Sequence, residues 1–361
     1  MRLPFHIVKR PYMKTYQQVI VRLLAVLTAF AVTSILMIIL KKNPGRVLMA
    51  LLYEPVKNGY FLVQTIKLAV VLLIISLGIG LAFKMKFWNI GAEGQIILGG
   101  IGASYLGLFH NDWPIYILLP VMLVASFVTG GLYGLIPAYF KARYNTNETL
   151  FTLMLNYIAL SILLFLQYGP WKGENAMRPE FDNFKKNALL PSLASSKPWS
   201  DLHIGWIISL LLVVIVYIYM NHTKSGYEIS VVGESVNTAR YAGMNVRWIT
   251  MRTMMLSAGI CGIAGFVQVS GNLKKLSVNV AGGLGFTAII IAWLSKLNPV
   301  VMIVASFLFS VMSKGAGFLE YQNISPAASE MIQGIILFCV LGAEFFVNYK
   351  IVRTHREVAQ K

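Results

Sequence analysis

The sequence predicts an all-α, polytopic membrane protein, and three observations carry that expectation. Hydrophobic residues make up 57% of the 361 and charged residues only 12%, about half the ~25% charge that coats a soluble protein. Mean hydropathy is +0.67. Apolar runs of about 20 residues, the length a helix needs to cross a ~30 Å hydrocarbon core, recur along the chain. The 31 Lys and Arg against 14 Asp and Glu leave a net charge of +17. On a soluble protein that surplus would suggest nucleic acid. On a membrane chain it marks basic loops beside an anionic leaflet, so the bilayer is the expected partner and nucleic acid is not.

The first span is Val19 to Leu40, behind a basic leader (residues 1–18) that the positive-inside rule places in the cytoplasm. Its apolar run exceeds a signal-peptide core, and Lys41-Lys42-Asn43-Pro44 is no cleavage site, so the helix is retained. Tyr60 to Phe83, Ile90 to Phe109, Ile115 to Phe140 and Thr149 to Tyr168 follow. A polar loop at 169–203, with four prolines and both charge signs, is the one stretch able to form a small extracytoplasmic cap. Ile204 to Met220, Ile249 to Ser270, Leu284 to Leu294, Val300 to Met312 and Glu330 to Tyr349 complete ten spans. The short Leu284 to Leu294 run reads equally as re-entrant, so the range is eight to ten. Both termini then face the cytoplasm, and 18 of the 31 Lys and Arg fall in loops assigned inside. The chain reads as a single membrane domain, 1–361. Cys261 and Cys339 lie in apolar runs and read as free thiols, and no metal-ligand spacing occurs.

Polar groups at membrane depth are expensive and therefore candidates for function. The densest group is Trp88-Asn89-Ile90-Gly91-Ala92-Glu93-Gly94-Gln95, where three polar side chains and two glycines permit an unwound backbone. Such a break is tolerated only against protein or a cavity. The plainer alternative puts Glu93 at the membrane boundary, uses Asn89 as a cap and makes the glycines packing faces. A second break, Gly282, Gly283 and Gly285, opens the short span that ends at Trp293, and paired breaks hint at an internal repeat of two halves. Asn156 either lines a path or bonds a neighbouring helix. In the connector 221–248, Ser235 fits an N-cap and Gly243 a left-handed helix end, framing a two-turn helix with Ala239, Arg240 and Tyr241. Together with Gly233 and Glu234 it either docks into a partner's groove or lies on the membrane.

No G-x-x-x-x-G-K-[ST] loop is present, so the chain is not expected to be an enzyme or to hydrolyse nucleotide. No two carboxylates occupy adjacent turns of a span, which disfavours an ion-coupled relay.

The stretch from Phe87 to Gln95 resembles the Asn-Ile-Gly-x-Glu-Gly-Gln signature of membrane subunits in ABC importers for nucleosides and simple sugars. Asn147 to Ala159, Ala239 to Val246 and Gly282 to Pro299 resemble later stretches of the same family, in order, although Ser295 replaces a usual glycine. The resemblance implies a ten-helix permease in a bacterial cytoplasmic membrane, working beside a second, related permease. It also implies a cytoplasmic ATPase, often with two fused nucleotide-binding domains, that holds the ATP and Mg; this chain itself needs no cofactor. An extracytoplasmic substrate-binding lipoprotein is the remaining implied partner. Gly233, Glu234, Ala239, Arg240, Tyr241 and Gly243 then become the ATPase-coupling region. Trp88, Asn89, Glu93, Gln95, Asn156 and Trp293 become the substrate path, and Gly91, Gly94, Gly282, Gly283 and Gly285 its backbone breaks. Nucleosides are the favoured cargo. A ribose-like sugar, or a stand-alone ion-coupled carrier, is the alternative.

Overall fold

The computed structural model describes residues 5–10, 13–173, 178–192 and 196–353. In chain order a strand β1 (Phe5–Lys9) precedes helices α1 (Thr15–Ile39), α2 (Pro44–Leu52), α3 (Glu54–Lys57), α4 (Gly59–Lys84), α5 (Ala92–Phe109), α6 (Ile115–Tyr144) and α7 (Glu148–Tyr168). Then come α8 (Gly205–His222), α9 (Lys224–Glu234), α10 (Val236–Tyr241), α11 (Val246–Val267), α12 (Leu284–Leu294), α13 (Pro299–Glu320), α14 (Pro326–Asn348) and strand β2 (Tyr349–Arg353). Among the described residues eight helices are long and apolar enough to cross a membrane, and α12 is a shorter apolar helix. That falls within the expected range. The span read as Val300 to Met312 is corrected: α13 continues to Glu320. Ser313, Lys314 and two glycines lower the local hydropathy, yet Gly315 lets the helix pass directly over the Leu51 backbone.

The chain packs as two compact units. One comprises Gly59–Ser310. Its centre is α11, buried nearly throughout and packed on α4, α5 and α6. Small residues make this possible. A side chain at Gly130 would stand 2.8 Å from the Ala258 carbonyl oxygen, and one at Gly99 would strike the Gly262 backbone. Helices in lipid gain little from hydrophobic exclusion, so close backbone contact through small residues does much of the holding. The other unit comprises residues up to Asn58 and those from Val311. In it Met37, Leu51, Leu319 and Ile332 share a core, and β1 pairs antiparallel with β2. Arg22, which interrupts the first span in the sequence, meets the Glu344 carboxylate at 2.6 Å and so ties α1 to α14.

The loop at 169–203 is ordered where described, with short 3₁₀ turns at Lys186–Ala188 and Trp199–Asp201. It is fastened over the end of α11, where α-helix gives way to a π-helical turn, Gln268–Leu273. The Leu190 N–H donates to the Ser270 carbonyl (3.1 Å) and the Phe184 N–H to the Lys274 carbonyl (2.9 Å). His203 anchors the loop from below. Its Nδ1 accepts from the Gly205 N–H (3.1 Å), which leaves the proton on Nε2 facing Asn272 Oδ1 (2.9 Å). Burial, helped by the charges of Lys67 and Lys274, pushes His203 down from 6.5 to about 4. The unfolded chain therefore takes up a proton as pH falls below 6.5 while the folded one does not. The stability held by the neutral ring is complete above that value and drains away towards pH 4. Between pH 7 and pH 5 the wild type is expected to lose about 2 kcal/mol through this group. Melting curves of wild type and His203→Gln at the two pH values check this, since the variant should show a smaller pH-dependent drop.

Candidate functional site

α4 ends at Lys84, and α5 does not begin until Ala92. The intervening chain doubles back along α4, with the Phe87 N–H on the Ala82 carbonyl (3.1 Å). A helix that starts inside a bundle exposes N–H groups with no partner in its own ladder. Here buried side chains supply the partners. Asn89 and Gln95 exchange two amide hydrogen bonds (3.0 and 3.1 Å), and Asn89 Oδ1 also accepts from the Gly91 N–H (3.1 Å). Asn156 of α7 clamps both sides of the break. Its Oδ1 accepts from the Gly94 N–H and its Nδ2 donates to the Ile90 carbonyl, both at 2.9 Å. A side chain at Gly94 would stand 3.1 Å from that same oxygen.

The second break meets the first. Gly282 (φ +51°) and Gly283 (φ +80°) take left-handed conformations and lead into α12. The carboxylate of Glu93 accepts from the Gly285 N–H at 2.6 Å, across 192 residues of sequence. Glu93 thus sets its side chain at the N-terminus of α12 while itself sitting in the first turn of α5, positions where a helix dipole favours an acidic group.

From this junction α12 runs to Trp293, whose ring stacks on Trp88 with centroids 5.4 Å apart and an interplanar angle of 23°. Phe83 packs against both rings, at 5.5 and 5.8 Å. Trp88 and Trp293 remain 42% and 45% exposed. The six path candidates therefore divide by location. Asn89, Glu93, Gln95 and Asn156 are buried and bonded to protein, whereas the two tryptophans present surface.

The connector folds as its punctuation implies. Ser235 caps α10 by accepting from the Thr238 N–H (3.2 Å), and Gly243 turns the chain out at φ +73°. Arg240 and Tyr241 point outward, Tyr241 being 93% exposed, while Ala239 faces in. Ala239 shares a core with Ile229 and Val232 of α9 and with Met85 and Phe87 of the α4–α5 linker. Gly233 lies directly on the Lys84 carbonyl, where any side chain would collide. The exposed helix α10 and the linker carrying Trp88 are thus parts of one packed cluster. Beside them opens a cleft of about 750 Å³, with Lys86, Lys141, Arg240 and Arg247 facing Glu148 and Glu234.

Sequence reasoning passed over two surface residues of the second break, Asn279 and Phe286, both exposed. The signal was available in Asn279, the lone amide in a run from Leu276 to Ser295 that has no ionisable side chain.

Residues 61–341 match the family described as the branched-chain amino acid transport system / permease component. A glucose ABC transporter permease of Haloferax volcanii is 30% identical over 91% of this chain and 88% of its own length. A guanosine ABC transporter permease of Bacillus subtilis is likewise 30% identical, over 91% of this chain and 93% of its own. A nucleoside ABC transporter permease of Lactococcus lactis is 27% identical over 90% and 91%. No solved structure matches the chain.

Proposed function

Because the chain belongs to the branched-chain amino acid transport system permease family, we propose that it is the nucleoside-translocating permease of an ATP-driven importer. It works beside a second, related permease, with solute moving along the face that carries Trp88 and Trp293. A separate cytoplasmic ATPase holds ATP and Mg and docks on α10, and an extracytoplasmic lipoprotein delivers the solute. The multi-pass chain sits in a bacterial cytoplasmic membrane with both termini inside.

The exposed Trp88–Trp293 stack is the observation that carries this reading. Two parallel indoles at the end of a wall with no ionisable side chain suit a planar, uncharged base, which aromatic faces hold without tight binding. The guanosine and nucleoside permeases among the relatives support the same cargo. The glucose permease of Haloferax volcanii, equally identical, supports a sugar instead. Motion would reach the stack through the cluster of Ala239, Val232, Met85 and Phe87: displacing α10 against Gly233 and the Lys84 carbonyl shifts the linker and parts the rings. The buried amides and Glu93 keep the two half-helices together meanwhile.

Uptake by the complete transporter, measured with guanosine, uridine, ribose and glucose in turn, tests the cargo. Saturable guanosine or uridine uptake is expected. Uptake of glucose or ribose alone would overturn the nucleoside reading and leave the family membership intact.

A further inference from the structure

Between Leu273 and Leu284 the chain enters the bundle without α-helix, through an extended stretch, a 3₁₀ turn at Val278–Val280 and the two left-handed glycines. Its depth is set by α5. Leu276 and Val280 pack against Gly100, eight residues and so about 12 Å along α5 from its start. Non-helical backbone at the middle of a bundle should be covered by protein. Here Asn279, Gly282 and Gly283 are exposed, and the exposed face continues along α12 through Phe286 to Trp293. Hydrocarbon is excluded as their neighbour, since irregular backbone at membrane depth occurs only against protein or a water-filled cavity.

The chemistry of this strip is specific. No ionisable residue lies between Lys275 and Lys296. Lys275 itself is held by Glu180 at 2.8 Å, and the Glu93 carboxylate is held on the Gly285 N–H. What remains for a solute is the side-chain amide of Asn279 and the hydroxyls of Ser277 and Thr287, the latter already donating to the Gly283 carbonyl, beside bare glycine backbone. Among the described residues that amide has no hydrogen-bond partner; only the backbone N–H of Asn279 is engaged, by Ser277 Oγ at 3.3 Å. A primary amide donates and accepts at adjacent atoms, which matches two neighbouring hydroxyls, and being uncharged it offers no counter-charge to a carboxylate or ammonium.

We infer that Asn279 contacts the transported solute and reads vicinal hydroxyls of its sugar part, making the path selective for neutral hydroxylated solutes over zwitterions. This rests on the importer reading above and adds a specificity residue to it. The order along the wall is then amide first and aromatic stack last, so hydroxyls and ring face are met at different depths.

The test compares guanosine with 2′,3′-dideoxyguanosine in proteoliposomes holding the complete transporter, at concentrations that saturate the binding protein. Wild type is expected to favour guanosine. Asn279→Ala should lower guanosine uptake about tenfold, a loss of the size expected for one hydrogen bond, and bring the two solutes to within about twofold. Equal guanosine uptake by variant and wild type would overturn the assignment. If wild type carries glucose and not guanosine, the nucleoside reading falls separately, and glucose against 2-deoxyglucose becomes the pair. Asn279→Cys supplies a second measurement. A water-soluble maleimide should label it above the wild-type background set by buried Cys261 and half-buried Cys339, and the transported solute should slow the labelling. An unreactive cysteine, or labelling that the solute leaves unchanged, would contradict a solute-facing position.

Discussion

Tyr241→Ala should cut ATP-driven uptake by tenfold or more while leaving the melting temperature of the purified chain unmoved. At 93% exposed, Tyr241 makes little contact within its own chain. Surface substitutions away from caps and cores cost within about 0.5 kcal/mol. A large aromatic left exposed at the tip of a helix capped at both ends suits an interface anchor, and such anchors lose 2 kcal/mol or more on truncation. Tenfold corresponds to about 1.4 kcal/mol. Arg240→Glu should act in the same direction, because it reverses a charge beside the cleft of Lys86, Lys141 and Arg247. Uptake by reconstituted complexes, with co-purification of the ATPase as a second readout, checks both. Wild-type uptake by Tyr241→Ala would remove α10 from the coupling role.

Glu93→Ala carries the second large effect, of a different kind. It leaves the Gly285 N–H of α12 without its acceptor and removes the acidic side chain that joins the two half-helices. An unsatisfied buried donor costs about 1–3 kcal/mol, and loss of the favourable charge at a helix N-terminus adds up to about 1 kcal/mol. Thermal unfolding of the detergent-purified chain should therefore shift down by several degrees. Glu93→Gln, which keeps an oxygen acceptor in place, should recover most of the loss. An equal shift in both variants would show that charge, rather than the hydrogen bond, holds the junction. No shift in either would contradict the role of Glu93 as a tie between α5 and α12.

The apolar runs of α4, α6 and α7 are readable because a membrane span is a local property: about 20 apolar residues suffice, whatever surrounds them. Helix α10 was legible for a similar reason, since Ser235 and Gly243 act on backbone within three residues of themselves. What the polar residues near Gly91 do was not legible. Asn156 reaches Gly94 and Ile90 across more than 60 residues, and Glu93 reaches Gly285 across 192. Spacing along the chain carries no record of those meetings, so a solute path and a capping or helix-bonding role both stay open for Asn89 and Asn156 until the structure shows their amides, with that of Gln95, completing the start of α5. The length of α13 escaped for the opposite reason. Lys314 and the glycines look like an ending, yet α13 runs on to Glu320, with Gly315 at its close passage over the Leu51 backbone.

ATP-dependent uptake by the reconstituted complex tests most directly whether this chain is one half of an ATP-driven path. Proteoliposomes holding this chain, its sister permease, the ATPase and the binding lipoprotein should accumulate guanosine when ATP is supplied. Without ATP they should accumulate none under an imposed proton or sodium gradient. Guanosine uptake by this chain alone, driven by either gradient without the ATPase, would contradict the coupling of α10 to the Trp88–Trp293 stack and mark a stand-alone carrier instead.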